Sequence, residues 1–196
     1  MIPENFPRVS DIIGIVKDEG LEKFREGVGE ERFREVLDAK AGLGRTNHDH
    51  LSRFLATGDC PDNDENGALD MMKAFGTWME NAVEEVVGYE QRLNNFNLKY
   101  TGQYDLVVRL KGDTGLTLID YKFRAVISKA CHLQLGGYAL MFAQKYISRA
   151  MILQFVINNK TKTWKLKPIP LTDAQFNDAK ANFMYARQLY QFMTGR

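Results

Sequence analysis

Two aspartates and a lysine lie at the ends of two apolar segments in the middle of the chain. Asp105 comes directly before the apolar run 106–110, and Asp120 and Lys122 end a second run that begins at Leu116. Carboxylate oxygens are preferred ligands of Mg²⁺ and Mn²⁺, and a lysine beside them can orient a water molecule or offset the charge of a phosphate. These three side chains are therefore candidates for a metal site suited to phosphodiester hydrolysis.

The two apolar runs are predicted to pair as a β-hairpin, because the glycines and polar residues of 111–115 between them are typical of a turn. Asp105 then lies opposite the strand end that holds Asp120 and Lys122. Side chains alternate along a strand, so Asp120 and Lys122 share a face and the Tyr121 side chain points to the other side. The backbone carbonyl of Tyr121 is a further candidate ligand.

An acid-x-Lys triplet alone is a weak signal, because the chain contains three of them. The triplets at 38–40 and 178–180 lie in polar, alanine-containing segments that favour helix, where residues two apart do not face each other. Only the triplet at 120–122 ends an apolar strand. Without further context, a solvated strand end with Lys122 as a surface partner of the aspartates is the ordinary interpretation.

Short motifs along nearly the whole chain supply that context. In order, they are Pro7-Arg-Val-Ser-Asp-Ile-Ile, Leu21-Glu-Lys-Phe24 with Gly29, Gly44-Arg-Thr-Asn-His48, Tyr89-Glu90-Gln-Arg-Leu, Gly102-Gln-Tyr-Asp105 with Ile119-Asp120-Tyr-Lys122, and Gln134-Leu-Gly-Gly-Tyr138. In this order they resemble the RecB-like branch of the PD-(D/E)XK nucleases, which includes phage-type exonucleases and the mitochondrial genome maintenance exonuclease. The ordered set is more specific than any one member.

The resemblance implies a restriction-endonuclease-like α/β core, in which a mixed central β-sheet is flanked by helices. It also implies a nuclease that depends on Mg²⁺ or Mn²⁺. In that case Asp105 and Asp120 hold the metal, Lys122 assists the attacking water, and His48 contributes a metal ligand.

The predicted helix 46–56 determines where His48 points. Its positions 48, 51 and 55 share one helical face, so a helix docked by Leu51 and Leu55 directs His48 inward. A lone histidine is ordinarily a hydrogen-bonded or exposed residue, and the resemblance is what favours a ligand here.

Three other members of the motif set have alternative interpretations. Glu90 either reaches the metal as a third carboxylate or pairs at the surface with Lys99 or Arg92. Gln134 and Tyr138, one turn apart in a predicted helix, either contact the active-site strand or a phosphate, or hydrogen-bond their helix onto the sheet. The resemblance implies that Gln134 and Tyr138 support the catalytic site.

The hydrophobic periodicity predicts helices, a series of strands, a helix, two closing strands and a last helix, an order that gives an α/β domain with a mixed sheet. The aromatic residues of the last helix are expected to pack across the core, namely Phe183, Tyr185, Tyr190 and Phe192. The predicted helices are 10–18, 29–41, 46–56, 68–87, 128–146 and one that starts at Thr172 or Asp173; the predicted strands are 89–93, one at Tyr100, 106–110, 116–119, 150–157 and 163–169.

The length of 196 residues suits one domain with a substantial core, predicted over residues 1–196. Within it, residues 1–88 are mainly helical, 89–170 form the catalytic sheet and helix, and 171–196 form the C-terminal helix. No apolar run approaches the ~18 residues of a membrane span, and the start lacks the basic and apolar regions of a signal peptide. We therefore expect a cytoplasmic protein, located in a bacterial host cell if it is phage-encoded.

The cysteine content and the distribution of charge bear on which cofactors and partners the protein can have. Cys60 and Cys131 are the only cysteines, which argues against a disulfide framework and a four-cysteine iron–sulfur cluster. The formal net charge is +1, but residues 59–90 hold nine acidic residues against one lysine, and residues 99–167 hold twelve Lys and Arg against three aspartates. The basic half either tracks a phosphate backbone or lines the solvent face of a strand.

Together with the resemblance, these features lead us to expect a Mg²⁺- or Mn²⁺-dependent deoxyribonuclease, an exonuclease of phage or prophage type that acts on DNA in recombination or processing. A single-strand annealing or recombination protein is a candidate partner, and the oligomeric state stays open. Two alternatives share the fold: a non-catalytic DNA-binding or assembly protein, and a site-specific endonuclease.

Overall fold

The computed structural model describes residues 6–16, 19–61, 64, 67–142, 147–158, 160–161 and 163–195. Within these residues, a largely helical first part is followed by five strands, a helix, two strands and a last helix. In chain order the elements are α1 (Val9–Ile13), α2 (Glu19–Val28), α3 (Glu30–Thr57), α4 (Ala68–Ala82), β1 (Val83–Tyr89), β2 (Arg92–Asn95), β3 (Tyr100–Gln103), β4 (Leu106–Leu110), β5 (Leu116–Lys122), α5 (Lys129–Ala139), β6 (Ile147–Asn158), β7 (Thr163–Pro170) and α6 (Asp173–Thr194).

Within the described residues, a five-stranded mixed sheet runs in the order β1-β4-β5-β6-β7, and β2 and β3 form a separate two-stranded sheet. Strands β5 and β6 are parallel, and the other neighbours in the large sheet are antiparallel. A parallel pair needs a crossover connection, which here contains α5. The expected α/β class, with a mixed sheet flanked by helices, is confirmed.

Helices cover both faces of the large sheet. On one face, α1, α5 and α6 enclose a cluster that includes Val107 and Leu118. On the other face, α3 and α4 enclose a second cluster that includes Leu106 and Ile119. Consecutive residues of β4 and β5 therefore enter opposite clusters, as the two-residue period of a strand requires.

The predicted hairpin is confirmed as β4 and β5. Leu106 pairs with Ile119 across the antiparallel ladder. Asp105 precedes Leu106 and Asp120 follows Ile119, so the two aspartates lie side by side at one end of the hairpin.

The first half of the chain contains a longer helix than predicted. The separate helices expected over 29–41 and 46–56 are one helix, α3. Gly42 and Gly44 lie inside it. An interior glycine lowers the stability of a helix by only about 1 kcal/mol relative to alanine, so the neighbouring residues keep the helix continuous.

The helix expected over 68–87 was predicted too long. The helix α4 ends at Ala82, and the chain continues as β1, which pairs with β4. The valines of this segment recur at helical spacing, yet their β-branched side chains also favour a strand, and pairing with β4 decides between the two.

Three further boundaries differ from the prediction. The helix expected over 10–18 is observed as α1, which ends at Ile13, and residues 17–18 lie outside the described ranges. The helix expected over 128–146 is observed as α5, which ends at Ala139, and residues 143–146 also lie outside those ranges. The strand expected over 89–93 is divided between the end of β1 and the start of β2.

The last helix, α6, begins where the sequence predicted. Thr172 caps it, accepting a hydrogen bond from the Gln175 backbone N–H at 3.2 Å. Phe183 is buried, but Tyr185 is 69% exposed and Phe192 is 88% exposed. The expectation that all the aromatics of α6 pack across the core is wrong for Tyr185 and Phe192, which lie on the helix face turned away from the sheet.

Helix α5 approaches α6 through two consecutive glycines. A Cβ atom on Gly136 would lie 2.3 Å from the Ala179 carbonyl oxygen, and one on Gly137 would lie 2.6 Å from a ring carbon of Phe183. A backbone carbonyl cannot rotate aside as a side chain can. The two helices therefore meet at a distance that only glycine permits.

We expect Gly136→Ala to lower the free energy of unfolding by about 3 kcal/mol, the upper end of the range for an overpacked core. The matched control is Gly42→Ala inside α3, where a Cβ would meet no atom of the described residues within 4 Å outside the helix backbone. That substitution should raise the free energy of unfolding by up to about 1 kcal/mol. Urea unfolding of both variants checks the pair, and a Gly136→Ala protein as stable as the parent would refute the contact.

Candidate functional site

Three side chains from separate elements meet at the end of the β4–β5 hairpin. His48, Glu90 and Asp105 each offer one ligand atom, and these atoms all lie within 4.8 Å of one another. His48 Nδ1 is 3.4 Å from Glu90 Oε1 and 3.6 Å from Asp105 Oδ1. One imidazole nitrogen with several carboxylate oxygens is a donor set that could hold a divalent metal ion.

Helix α3 positions His48 beside Glu90 and Asp105. Leu51 is fully buried one turn further along the helix, and it docks this face against the sheet. The His48 ring lies against two aromatic rings, that of Tyr121 near the end of β5 and that of Phe123 directly after it, with centroid distances of 5.6 Å and 5.3 Å. The inward direction expected from the helical spacing is what the structure shows.

Glu90 occupies the junction between β1 and β2 in a left-handed backbone conformation, with φ +48°. Its backbone N–H donates to the Asp105 carbonyl oxygen at 2.9 Å, and its side chain accepts a hydrogen bond from Gln103 Nε2 at 2.6 Å. A left-handed glutamate is strained, and such strain persists where neighbours hold it, often at functional sites. Its observed partners are His48 and Gln103, so the expected alternative of a surface pair with Lys99 or Arg92 is not what forms among the described residues.

Asp120 is 0% exposed, and the Lys122 ammonium forms an ion pair with its Oδ2 atom. Apart from this ion pair, neither carboxylate oxygen has a hydrogen-bond partner within the described residues. Buried carboxylate oxygens are normally hydrogen-bonded, so these spare lone pairs suit a cation ligand. The Lys122 ammonium also donates to the Tyr121 carbonyl oxygen at 3.3 Å.

Asp105 is buried beside Asp120, and its Oδ2 atom accepts a hydrogen bond from the Tyr121 backbone N–H at 2.6 Å. Burial raises the pKa of the Asp105 carboxyl to about 7, and the negative charge of Asp120 acts in the same direction. The positive charges of His48 and Lys122 oppose this change without cancelling it. The carboxylate is therefore costly to ionise here unless more positive charge is supplied.

The pKa of His48 responds to the same carboxylates. Burial lowers it, but the negative charge of Asp105 and the hydrogen bond and charge of Glu90 outweigh burial, so the pKa is raised overall. The raised pKa of His48 shows that the negative charge of these carboxylates outweighs the effect of burial. A divalent cation would neutralise that charge.

Gln134 and Tyr138 lie on one face of α5, as their spacing predicted. Gln134 Nε2 donates to the Tyr138 hydroxyl at 2.8 Å. Burial raises the pKa of Tyr138, and the charges of Asp105 and Asp120 raise it further, which places the phenol within electrostatic reach of both carboxylates. Within the part of the chain that the structure describes, neither residue hydrogen-bonds to the carboxylates.

Gln154 supports the segment that follows Lys122, and no motif in the sequence pointed to it as a site residue. It lies on β6 directly beside Lys122 and is buried. Its amide donates to the carbonyl oxygens of Arg124 at 2.9 Å and of Ala125 at 2.8 Å. The available signal was a single polar residue in the apolar run 150–157.

Comparison with protein families gives a match that covers most of the chain. Residues 14–193 match the sequence model of a family described as the PD-(D/E)XK nuclease superfamily. No curated protein sequence matches. Within the described residues, no helix is both long enough and apolar enough to cross a membrane.

Several solved structures have a related shape. A protein designated SSO0001 is 13% identical, with 99% of this chain and 78% of that chain covered and a TM-score of 0.48. An alkaline exonuclease from Laribacter hongkongensis is 11% identical, with 76% and 82% covered and a TM-score of 0.37. A phage related exonuclease from Haemophilus somnus 129PT is 14% identical, with 97% and 96% covered and a TM-score of 0.35. Likenesses at these TM-scores establish neither fold nor function by themselves.

Proposed function

Because the chain belongs to the PD-(D/E)XK nuclease superfamily, with a restriction-endonuclease-like fold, we propose that it is a Mg²⁺- or Mn²⁺-dependent deoxyribonuclease. The observation that carries the proposal is the cluster of ligand atoms from His48, Glu90 and Asp105, next to a buried Asp120 carboxylate whose only partner among the described residues is the Lys122 ammonium. Hydrolysis of a phosphodiester needs this kind of cation site next to a positively charged side chain, and Lys122 supplies that side chain.

In the proposed site, Asp105, Asp120 and His48 hold the cation, with Glu90 and the Tyr121 backbone carbonyl as further ligands. The cation supplies Lewis-acid stabilisation of the negative charge that develops on the phosphate. The donor set fits because it consists of hard oxygens and one imidazole nitrogen. Burial of Asp105 and Asp120 limits the access of competing water to these two carboxylates.

Lys122 is proposed to act on the water and the phosphate. Its side chain is only 12% exposed and is fixed between Asp120 and the Tyr121 carbonyl oxygen. A fixed ammonium can orient an attacking water and stabilise charge on the phosphate, without the reorganisation that a mobile surface lysine needs. Gln134 and Tyr138 support this end of the sheet from α5 and are proposed to orient the site.

The finer assignment is an exonuclease of phage or prophage type that digests linear DNA during recombination or DNA processing. The order of sequence motifs from Pro7 to Tyr138 supports it. We propose further that residues 1–196 form one nuclease domain, that the protein acts in the cytoplasm, and that a single-strand annealing or recombination protein is its partner.

Digestion of matched linear and closed circular DNA tests this function. We expect Mg²⁺ or Mn²⁺ to support loss of linear DNA from its ends, a chelator to abolish it, and closed circles to survive, because an exonuclease needs an end. Discrete fragments from closed circles would instead indicate a site-specific endonuclease. No cleavage with any divalent metal, on single- or double-stranded substrates, would refute the proposal.

A further inference from the structure

We propose that the β2–β3 hairpin, residues 92–103, is a rigid surface for an unpaired DNA strand and that the exposed ring of Phe96 stacks on one of its bases. The inference rests on the proposed deoxyribonuclease function and adds where the substrate strand runs outside the reaction centre. The hairpin begins two residues after Glu90 and ends two residues before Asp105. It is therefore an extension of the candidate site itself.

The root of the hairpin is bonded to the candidate ligands. The Glu90 backbone N–H donates to the Asp105 carbonyl oxygen, and Gln103 at the end of β3 donates to the Glu90 side chain. Strands rise about 3.3 Å per residue, so the hairpin turn, residues 96–99, lies roughly 20 Å from Asp105. A DNA strand that follows the hairpin from the site with its bases stacked ~3.4 Å apart reaches Phe96 after about six nucleotides.

Buried polar groups hold the turn in place. Arg187 of α6 is 3% exposed, and it donates to the carbonyl oxygens of Leu98 at 2.8 Å and of Lys99 at 3.2 Å. The Asn95 side chain accepts from the Leu98 backbone N–H at 2.9 Å and donates to the Leu140 carbonyl oxygen at 2.6 Å. Lys99 has a left-handed φ of +52°, which these bonds sustain. The exposed residues of the turn are thus presented on a fixed backbone.

The exposed side chains of the hairpin suit a nucleic acid. Phe96 is 66% exposed, and its ring meets the Phe6 ring edge-on at a centroid distance of 5.9 Å. Arg92 and Lys99 are exposed and form no ion pair within the described residues. The segment 92–103 contains no acidic residue. Exposed aromatic rings among unpaired cations are the usual combination for binding a single strand, because every base has a face that can stack.

Fluorescence anisotropy with labelled oligothymidylates of about 4 and about 12 nucleotides, in a chelator that prevents cleavage, tests the surface. We expect Phe96→Ala to weaken binding of the longer probe by about 5- to 150-fold and to leave the shorter probe unchanged, since only the longer one reaches the turn. Phe96→Trp should retain parental affinity. Lys99→Ala should make the negative slope of log affinity against log salt less steep by about 0.7.

The matched control is Tyr185→Ala, an aromatic of similar exposure on α6 that lies about 200° around the helix from Arg187. It should bind both probes as the parent does. Equal affinity of the parent and Phe96→Ala for the longer probe overturns the inference, even if metal-dependent cleavage is present. An equal loss of affinity for a blunt duplex overturns the assignment to an unpaired strand. If Phe96-dependent binding is found without any cleavage, the surface stands and the nuclease proposal fails.

Discussion

Replacing Lys122 by methionine should lower the single-turnover rate of DNA cleavage by about 10²- to 10⁴-fold. The affinity for Mg²⁺ or Mn²⁺ should stay the same or rise, because the lost ammonium has the same sign of charge as the cation and the oxygen ligands remain. Methionine keeps an unbranched apolar stem of similar length, so the packing at the end of β5 is retained. The variant therefore separates the chemistry of the lysine from the binding of metal.

Rapid-quench measurement with end-labelled DNA at saturating metal gives the rate, and calorimetry gives the metal affinity. Lys40→Met is the matched control, since Lys40 belongs to the same kind of triplet, Asp38-Ala-Lys40, but lies exposed on α3. It should cleave at the parental rate. If Lys122→Met cleaves DNA at the rate of the parent, Lys122 has no role in the reaction.

Asp120→Asn is expected to weaken binding of Mg²⁺ and Mn²⁺ by at least 10- to 100-fold, the loss usually seen when only an outer partner of a ligand is removed. Cleavage should fall to background. An amide has no charge and presents N–H donors as well as an oxygen, so it is a poor replacement for a buried carboxylate with free lone pairs.

Metal titrations followed by thermal unfolding measure this effect without any substrate. At a metal concentration of 100 times the parental dissociation constant, the free energy of unfolding of the parent should rise by about 2.7 kcal/mol, and that of Asp120→Asn by no more than about 1.4 kcal/mol. Asp38→Asn, in the exposed triplet of α3, should respond as the parent does. If Asp120→Asn binds metal with the affinity of the parent, Asp120 is not a metal ligand, and His48, Glu90 and Asp105 bind the ion without it.

The juxtaposition of Asp105 and Asp120 could be predicted because it depends on local rules. Two apolar runs, a glycine-containing turn between them and the two-residue period of strands determine which residues lie opposite each other. The same applies to His48, whose direction follows from leucines at helical spacing on the same element. The roles of these residues still rest on the proposed function and on the variants described above.

Other features depend on contacts between distant segments and could not be predicted from local patterns. The valines of β1 fit a helix by spacing, and only the neighbouring strand β4 makes them a strand. The left-handed conformation of Glu90 is disfavoured for glutamate and is held by a hydrogen bond to Asp105. Gln154 contacts the segment after Lys122 only because β6 pairs in parallel with β5, although the whole of α5 separates the two strands in sequence.

The close contact of α5 with α6 has a consequence for how substitutions far from the candidate site are interpreted. Helix α6 supplies none of the proposed catalytic or metal-binding residues, yet it contacts the glycines of α5, the helix that carries Gln134 and Tyr138, and it holds the hairpin turn through Arg187. A substitution at Gly136 or Arg187 is therefore expected to disturb the candidate site without removing any of its groups. A loss of activity identifies a reacting group only where the variant keeps the stability of the parent.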